Sequence, residues 1–344
     1  MRDLKYLIAY LVPASALLGL TWQGAWSWLT VVLVFGILPA IELYTPKSIE
    51  NVPKAKEDDR ASRTFFDWLL YANAPLLFGI VGWYLWTLAA QTLSLGEITG
   101  LTLSVGIVVG TCGINVAHEL GHRPNAAEQV LAQIMLLPAL YQHFFVEHNR
   151  GHHKNVATDD DPASARLGEN VFRFWLRSVL GGWQNAWALE RERLAKTNQA
   201  ATSWDNAMLR YSSYQVIWLV AIFSLLGWHA FLGAISIAII SFLLLETVNY
   251  IEHYGLRRKI LPTGRPEPVS PHHSWNSDHE LGRIFLYELT RHSDHHFKST
   301  RKYQILRHID ESPQLPYGYP TSIVIAMIPP IWFRVMNARA VQRP

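Results

Sequence analysis

Four short stretches of this 344-residue chain concentrate its chemistry. They are "HELGH" with His118 and His122, "EHNRGHH" with His148, His152 and His153, "NYIEHYG" with His253, and "RHSDHH" with His292, His295 and His296. Imidazole nitrogen is a ligand for zinc, copper, iron and nickel. Residues four apart on a helix share a face, so the spacing predicts three facing pairs: His118/His122, His148/His152 and His292/His296. The adjacent His153 and His295 then point to a neighbouring angle, which suits a second metal beside the first. Taken alone, "HELGH" reads as the H-E-x-x-H zinc protease signature. A catalytic zinc takes three protein ligands and keeps one position open. That leaves at least six clustered histidines without a use, whereas nine imidazoles suffice for two metals with four or five ligands each.

The elements that must position these histidines are apolar. Half of the residues are hydrophobic and only 17% are charged, against roughly 25% charged in an ordinary soluble domain. Fourteen tryptophans suit membrane interfaces. A span needs about 20 mostly apolar residues, and six stretches qualify: 4–22, 25–44, 66–90, 97–117, 212–230 and 232–252. The expected fold is therefore an all-α integral membrane protein. Its six transmembrane helices carry a cytoplasmic helical cap with the metal site, and residues 1–344 form a single catalytic domain. The run after Arg2 and Lys5 reads as a retained first span, since a second apolar run follows at once. The short links at 23–24, 91–96 and 228–232 hold none of the 30 lysines and arginines. The longer connections 45–65, 118–211 and 253–344 therefore face the cytoplasm, with both termini. Every histidine but His229 falls on that side. The proline-interrupted apolar stretches 127–145 and 319–336 read as surface or core helices.

Acids inside and beside the clusters, Glu119, Glu147, Glu252 and Asp294, together with Asn249, are expected to orient the ligating imidazoles, because a metal-bound histidine usually donates its other N–H to a carboxylate or carbonyl. Asp161 and Asp278 are weaker candidates for the same role, and Glu246 is an ionisable group at membrane depth. His272, His273 and His279 are not read as ligands. Gly106, Gly110 and Gly113 provide small residues for close helix packing, read here as packing within the bundle. The single cysteine, Cys112, excludes an internal disulfide and a cysteine-rich cluster. A net charge of +3, with no basic stripe, excludes nucleic acid as a partner. Trp26, Trp28, Phe35, Trp83 and Trp86 are read individually as belt or bundle residues. No substrate-binding residue is identifiable.

In their wider setting the four stretches resemble the histidine boxes of integral-membrane non-haem di-iron enzymes. That superfamily includes alkane hydroxylases, xylene monooxygenases, and fatty acyl desaturases and hydroxylases. The segments "EHNRGHHKNVATDDDPASARLGENVFRFW", "NYIEHYGLRR" and "SWNSDHELGRIFLYELTRHSDHH", with Tyr303-Gln304-Ile305-Leu306, are similar to the alkane 1-monooxygenase branch. The likeness runs from about residue 40 to the C-terminus, and the His-Tyr-Gly motif at 253–255 is its most branch-specific part. It implies that His118, His122, His148, His152, His153, His253, His292, His295 and His296 hold two irons. It also implies O2 as co-substrate and terminal hydroxylation of medium-to-long-chain n-alkanes to 1-alkanols. Electrons would come from rubredoxin, itself reduced by a rubredoxin reductase, at a bacterial-type inner membrane. The one departure is "TDDDP" at 158–162, where the branch has a proline and a glutamate before Asp161. Two other readings remain open at this stage: a fatty acyl desaturase or hydroxylase of the same superfamily, and a membrane zinc protease using "HELGH". A metal transporter would need ionisable groups through the bilayer centre, and the spans carry few.

Overall fold

The computed structural model describes residues 2–341. Residue 1 and residues 342–344 of the expected single domain lie outside the described residues. Among those described there is no β-strand, only isolated bridges. Apolar composition over membrane length produces α1 (Asp3–Trp22), α2 (Gly24–Glu42), α3 (Thr64–Ala90) and α4 (Leu95–Gly121). They are followed by α5 (Ala126–Met135), the short helical stretch α6 (143–155), α7 (Val171–Ala195) and α8 (Ala207–His253). The last four are α9 (Glu280–Phe285), α10 (His292–Phe297), α11 (Tyr319–Ala326) and α12 (Pro329–Val341).

Helix α8 has 47 residues and as a straight rod would be about 70 Å long, more than twice the ~30 Å hydrocarbon layer. It does not run straight. Gly227 has φ 78° and ψ −168°, a conformation open to glycine and strained for other residues. The rings of Phe223 and Phe231, eight positions apart, come to 5.8 Å, so the chain turns back there. The two expected spans 212–230 and 232–252 are the two arms of α8, and the turn falls at Gly227. Helices α1 to α4 match the other four. The stretch 127–145 breaks after α5, and α11 and α12 are bent by 119° at the proline pair. Several apolar helices of this length make the chain a multi-pass membrane protein.

The chain divides into two compact units. The first comprises residues 1–37, 64–146 and 186–245 and holds the bulk of the apolar helices. Helix α4 is buried along most of its length, whereas α2 exposes most of its surface. The glycines of α4 explain how it sits so deep. A Cβ on Gly106 would lie 2.5 Å from Ile240 Cγ2, and one on Gly110 would lie 3.1 Å from Leu244 Cδ2. Gly113 packs against Leu77. These small residues therefore serve close packing inside the bundle, as expected. Trp22, Trp26 and Trp86 are about half exposed, as in an aromatic belt.

The second unit comprises residues 38–63, 147–185 and 246–344 and is held by buried polar contacts. The Arg291 guanidinium donates to the carbonyls of Leu306 at 2.7 Å and Glu50 at 2.9 Å. Tyr250 donates to the Glu169 carbonyl at 2.6 Å, and the Tyr254 hydroxyl donates to Asn337 at 2.6 Å while accepting the Gly168 N–H. Gly255 follows with φ 71°, and a Cβ there would lie 2.9 Å from that of Ala340. The Tyr-Gly after His253 thus ends α8 in a left-handed turn that no bulkier residue fits.

Replacing Gly106 by valine should cost about 1–3 kcal/mol by overpacking against Ile240, read as a lower thermal midpoint of the detergent-solubilised protein. Gly79→Ala, where an added Cβ meets nothing within 4 Å, should be neutral or slightly stabilising.

Candidate metal centre

Within the second unit three stretches of chain bring four imidazoles together. His152 comes from α6, His253 from the last residue of α8, and His292 and His296 from successive turns of α10. One ligand nitrogen from each lies within 4.8 Å of the others. The Nε2 atoms form a chain: His152 to His296 at 3.2 Å, His296 to His292 at 2.9 Å, and His292 to His253 at 3.2 Å. All four side chains are buried. A neutral imidazole has one donor and one acceptor nitrogen, so inward-facing nitrogens at these distances must share either protons or a cation. Nitrogens about 2.1 Å from one ion stand about 3.0 Å apart at right angles and about 3.4 Å apart in a tetrahedron, close to the observed 2.9–3.2 Å. The donor set fits a transition metal.

A second imidazole group lies beside the first. His148 and His153 face each other through Nε2 at 3.1 Å, and the His153 and His295 rings are 4.9 Å apart. The His153 ring stacks on that of His296 at 4.4 Å, so the two groups are neighbours. The expected facing pair His148/His152 does stack, with ring centroids 5.2 Å apart, but their ligand nitrogens fall in different groups. Residues 148–152 form a π-helical turn, with i→i+5 spacing. It sets His148 with His153 and sends His152 to the other group. His292/His296 pair as the i, i+4 rule requires. In the first unit His118 and His122, at the end of α4, have rings 5.0 Å apart.

Protonation follows from burial and neighbours. Burial, then the charge of His152, pushes His153 down to about 3, and burial foremost holds His296 well below the usual histidine range. Both are neutral and available as ligands. Burial also pulls His152 down, but the Asp161 carboxylate reverses this and raises it to about 9. His152 Nδ1 donates to Asp161 Oδ2 at 2.9 Å. The Ser164 hydroxyl and the Ala163 N–H fix the carboxylate in turn. This is the arrangement of a carboxylate orienting a metal-bound imidazole.

The acids singled out from sequence divide. Asp161, a weaker candidate from sequence, takes His152 of the cluster by its rear nitrogen. Asp294, expected to orient an imidazole, is instead gripped by Arg301 at 2.7 Å and by the Arg307 N–H at 2.8 Å, fixing the chain that follows α10. Asn249 donates to Glu246 at 3.3 Å, so it is likewise corrected to a helix contact. Glu147 accepts from Asn185 at 3.1 Å. Glu119 is paired with Arg123 at 2.9 Å, which also binds Asp67. Asp278 pairs with His308. Glu252 accepts the Tyr319 hydroxyl at 2.8 Å, and its Oε2 lies 3.2 Å from His292 Nε2. His273 offers only its backbone carbonyl, 3.4 Å from His253 Nδ1.

The profile of the fatty acid desaturase family matches residues 95–325, which contain every one of these histidines. Alkane 1-monooxygenase 2 of Pseudomonas aeruginosa is 39% identical over 94% of this chain and 86% of its own length. Alkane 1-monooxygenase of Pseudomonas putida is 37% identical over 96% of this chain and 83% of its own. The xylene/toluene monooxygenase hydroxylase component of Pseudomonas putida is 27% identical over 98% and 88%.

Asp161→Asn should weaken metal binding by about 10–100-fold, the usual effect of losing such a partner. The pH dependence has a definite sign. In the metal-free protein His152 carries a proton below about 9, and a metal must displace it. Affinity should therefore rise from pH 7 toward pH 9 with proton release, and Asp161→Asn should flatten that rise. Metal titrations of chelator-treated protein across this range measure both effects.

Proposed function

Because the chain belongs to the alkane 1-monooxygenases, within the wider fatty acid desaturase family, we propose that it hydroxylates the terminal methyl of medium-to-long-chain n-alkanes. The overall reaction is RCH3 + O2 + two electrons + two protons → RCH2OH + H2O. The observation that carries this reading is the pair of neighbouring all-imidazole groups in a chain otherwise built of membrane-length apolar helices. Two irons bound there would supply the reduction of O2 and the attack on an unactivated C–H bond. Imidazole suits iron as well as zinc or copper, and it is family membership that favours iron.

The remaining work falls to the protein. His152, His253, His292 and His296 hold one ion. His148, His153 and His295 hold the other, with His118 and His122 assigned as its further ligands on the strength of their i, i+4 spacing and the family pattern. Asp161 fixes the tautomer and tilt of His152. Deep burial of His152, His253, His292 and His296 keeps water from that ion, which limits side reactions. An alkane offers no polar handle, so apolar contacts must select it, at roughly 0.8 kcal/mol per methylene, or about fourfold in affinity per carbon. Selection of the terminal carbon then follows from an end-on pose, even though internal C–H bonds are weaker.

The electrons come from outside the chain, which has one cysteine and no nucleotide-binding fingerprint. Rubredoxin, reduced by its reductase, is the proposed donor, at the cytoplasmic face of a bacterial inner membrane, with both termini on that side.

Purified protein should contain about two irons per chain and, with rubredoxin, its reductase and dodecane, should form 1-dodecanol. Recovery of unsaturated acyl chains without 1-alkanol would assign it to desaturation instead. His253→Ala should abolish the alcohol. Glu119→Gln should only reduce it, because the Glu119 carboxylate serves the Arg123 pair, whereas an H-E-x-x-H protease would lose all activity.

A further inference from the structure

Resting on the hydroxylase reading above, we infer that His143 is a hydroxyl-binding residue, and that the aromatic nest around it receives the long-chain primary alcohol, whose hydroxyl pairs with Nε2. His143 opens α6 within the first unit and belongs to neither imidazole group. It is 7% exposed. Its Nε2 is buried and has no hydrogen-bond partner among the described residues. Buried polar atoms in folded proteins are nearly always paired, so one left open calls for a partner.

The surroundings define that partner. The Tyr141 and His143 rings meet at a steep angle, with centroids 4.2 Å apart. Tyr141 also stacks on Phe242 of α8 at 5.0 Å and on Phe144 at 6.5 Å. Phe144 in turn lies 6.2 Å from the ring of His118, which is assigned above to the second ion. Gln142, immediately before His143, commits its Nε2 to the Gln133 carbonyl at 3.0 Å, and its Oε1 is likewise buried without a partner. Sites for largely apolar molecules combine aromatic walls with a few polar groups that fix orientation.

Chemistry separates product from substrate here. Burial pushes the His143 imidazole down to about 4, so at neutral pH it is uncharged and offers Nε2 either as a lone pair or as an N–H. An uncharged nitrogen among aromatic rings does not suit a carboxylate, and an alkane has nothing to offer it. A primary alcohol carries one hydroxyl, able to donate or accept, on a chain that aromatic rings can cover. Hydroxylation thus creates the group that His143 holds, one ring away from a proposed metal ligand. The nest retains product in preference to substrate.

The test uses full-length, iron-loaded protein in detergent, without an electron donor so that nothing turns over. Saturable binding of radiolabelled 1-dodecanol is measured, with competition by dodecane and by 1-chlorododecane, which has no hydroxyl. Wild-type protein should prefer 1-dodecanol to 1-chlorododecane by about fivefold or more, the worth of one hydrogen bond. His143→Phe, which keeps a ring and loses the nitrogen, should erase that preference and leave dodecane binding within about twofold of wild type. His143→Gln should restore part of the preference. A 1-dodecanol bearing a diazirine beside its hydroxyl should label residues 141–144 of the wild type, which locates the site if His143→Phe fails to fold. No preference in the wild type, an equal preference in His143→Phe, or labelling confined to other residues overturns the inference and leaves the hydroxylase reading intact. If no 1-dodecanol forms when dodecane, rubredoxin and its reductase are supplied, that reading falls, and with it the identity of the ligand as product.

Discussion

Inward-facing imidazole nitrogens, packed at 2.9–3.2 Å in a buried cluster, are the constraint on which the second unit depends. Nitrogens so close must share protons or a cation between them. A buried cation in turn is tolerable only with ligands and counter-charges already in place. The protein must therefore hold four rings from three remote stretches in mutual opposition before any ion arrives. Ring orientation left to chance would lose the site, since a deviation of about half an ångström is enough to loosen such a constellation.

The surrounding hydrogen bonds serve that requirement. Tyr250 and Tyr254 tie the end of α8 to the 168–169 turn, and Trp275 ties the same turn of helix to the chain leading toward α10 through the carbonyls of Glu252 and Tyr254. Arg291, immediately before His292, is buried and spends its guanidinium on backbone carbonyls of residues 48, 50 and 306. Asp294, between the histidines of α10, is clamped by Arg301. The stretches around His253 and His292 therefore carry residues that anchor them to other parts of the same unit. The motifs are accordingly longer than their ligands: "RHSDHH" includes an anchor at each of its non-histidine charged positions.

Composition made the spans legible, because membrane length and apolarity are properties of consecutive residues. The histidine clusters were legible because their number and spacing exceed what core packing explains. Facing pairs were legible, but not which group each ring serves. His292 and His296 face one another within one group, whereas His148 and His152 stack at 5.2 Å and turn their nitrogens to different groups, since the π turn beneath them adds a residue and nothing in "EHNRGHH" announces it. Asp161 ranked only as a weaker candidate from sequence, because its contact depends on the 156–164 loop folding back on His152. Asp294 and Asn249 misled for the opposite reason: proximity in sequence put them beside ligands, and local partners claimed them. Gly227 shows the same limit at the level of the fold, where hydropathy located a turn to within a few residues but only its left-handed φ fixed the residue.

Acids near a histidine box thus differ by which nitrogen they meet and by who else binds them, and spacing encodes neither. A carboxylate against Nδ1 raises ligand basicity from behind. One against an arginine organises backbone. One held by a tyrosine, as Glu252 is by Tyr319, sets its other oxygen 3.2 Å from His292 Nε2. The three carry the same charge and lie within a residue or two of a histidine or fold back onto one, yet their partners differ. Sorting them requires the reverse contacts, Ser164 on Asp161, Arg301 on Asp294 and Tyr319 on Glu252, because a carboxylate has two oxygens and the partner that takes one determines where the other points.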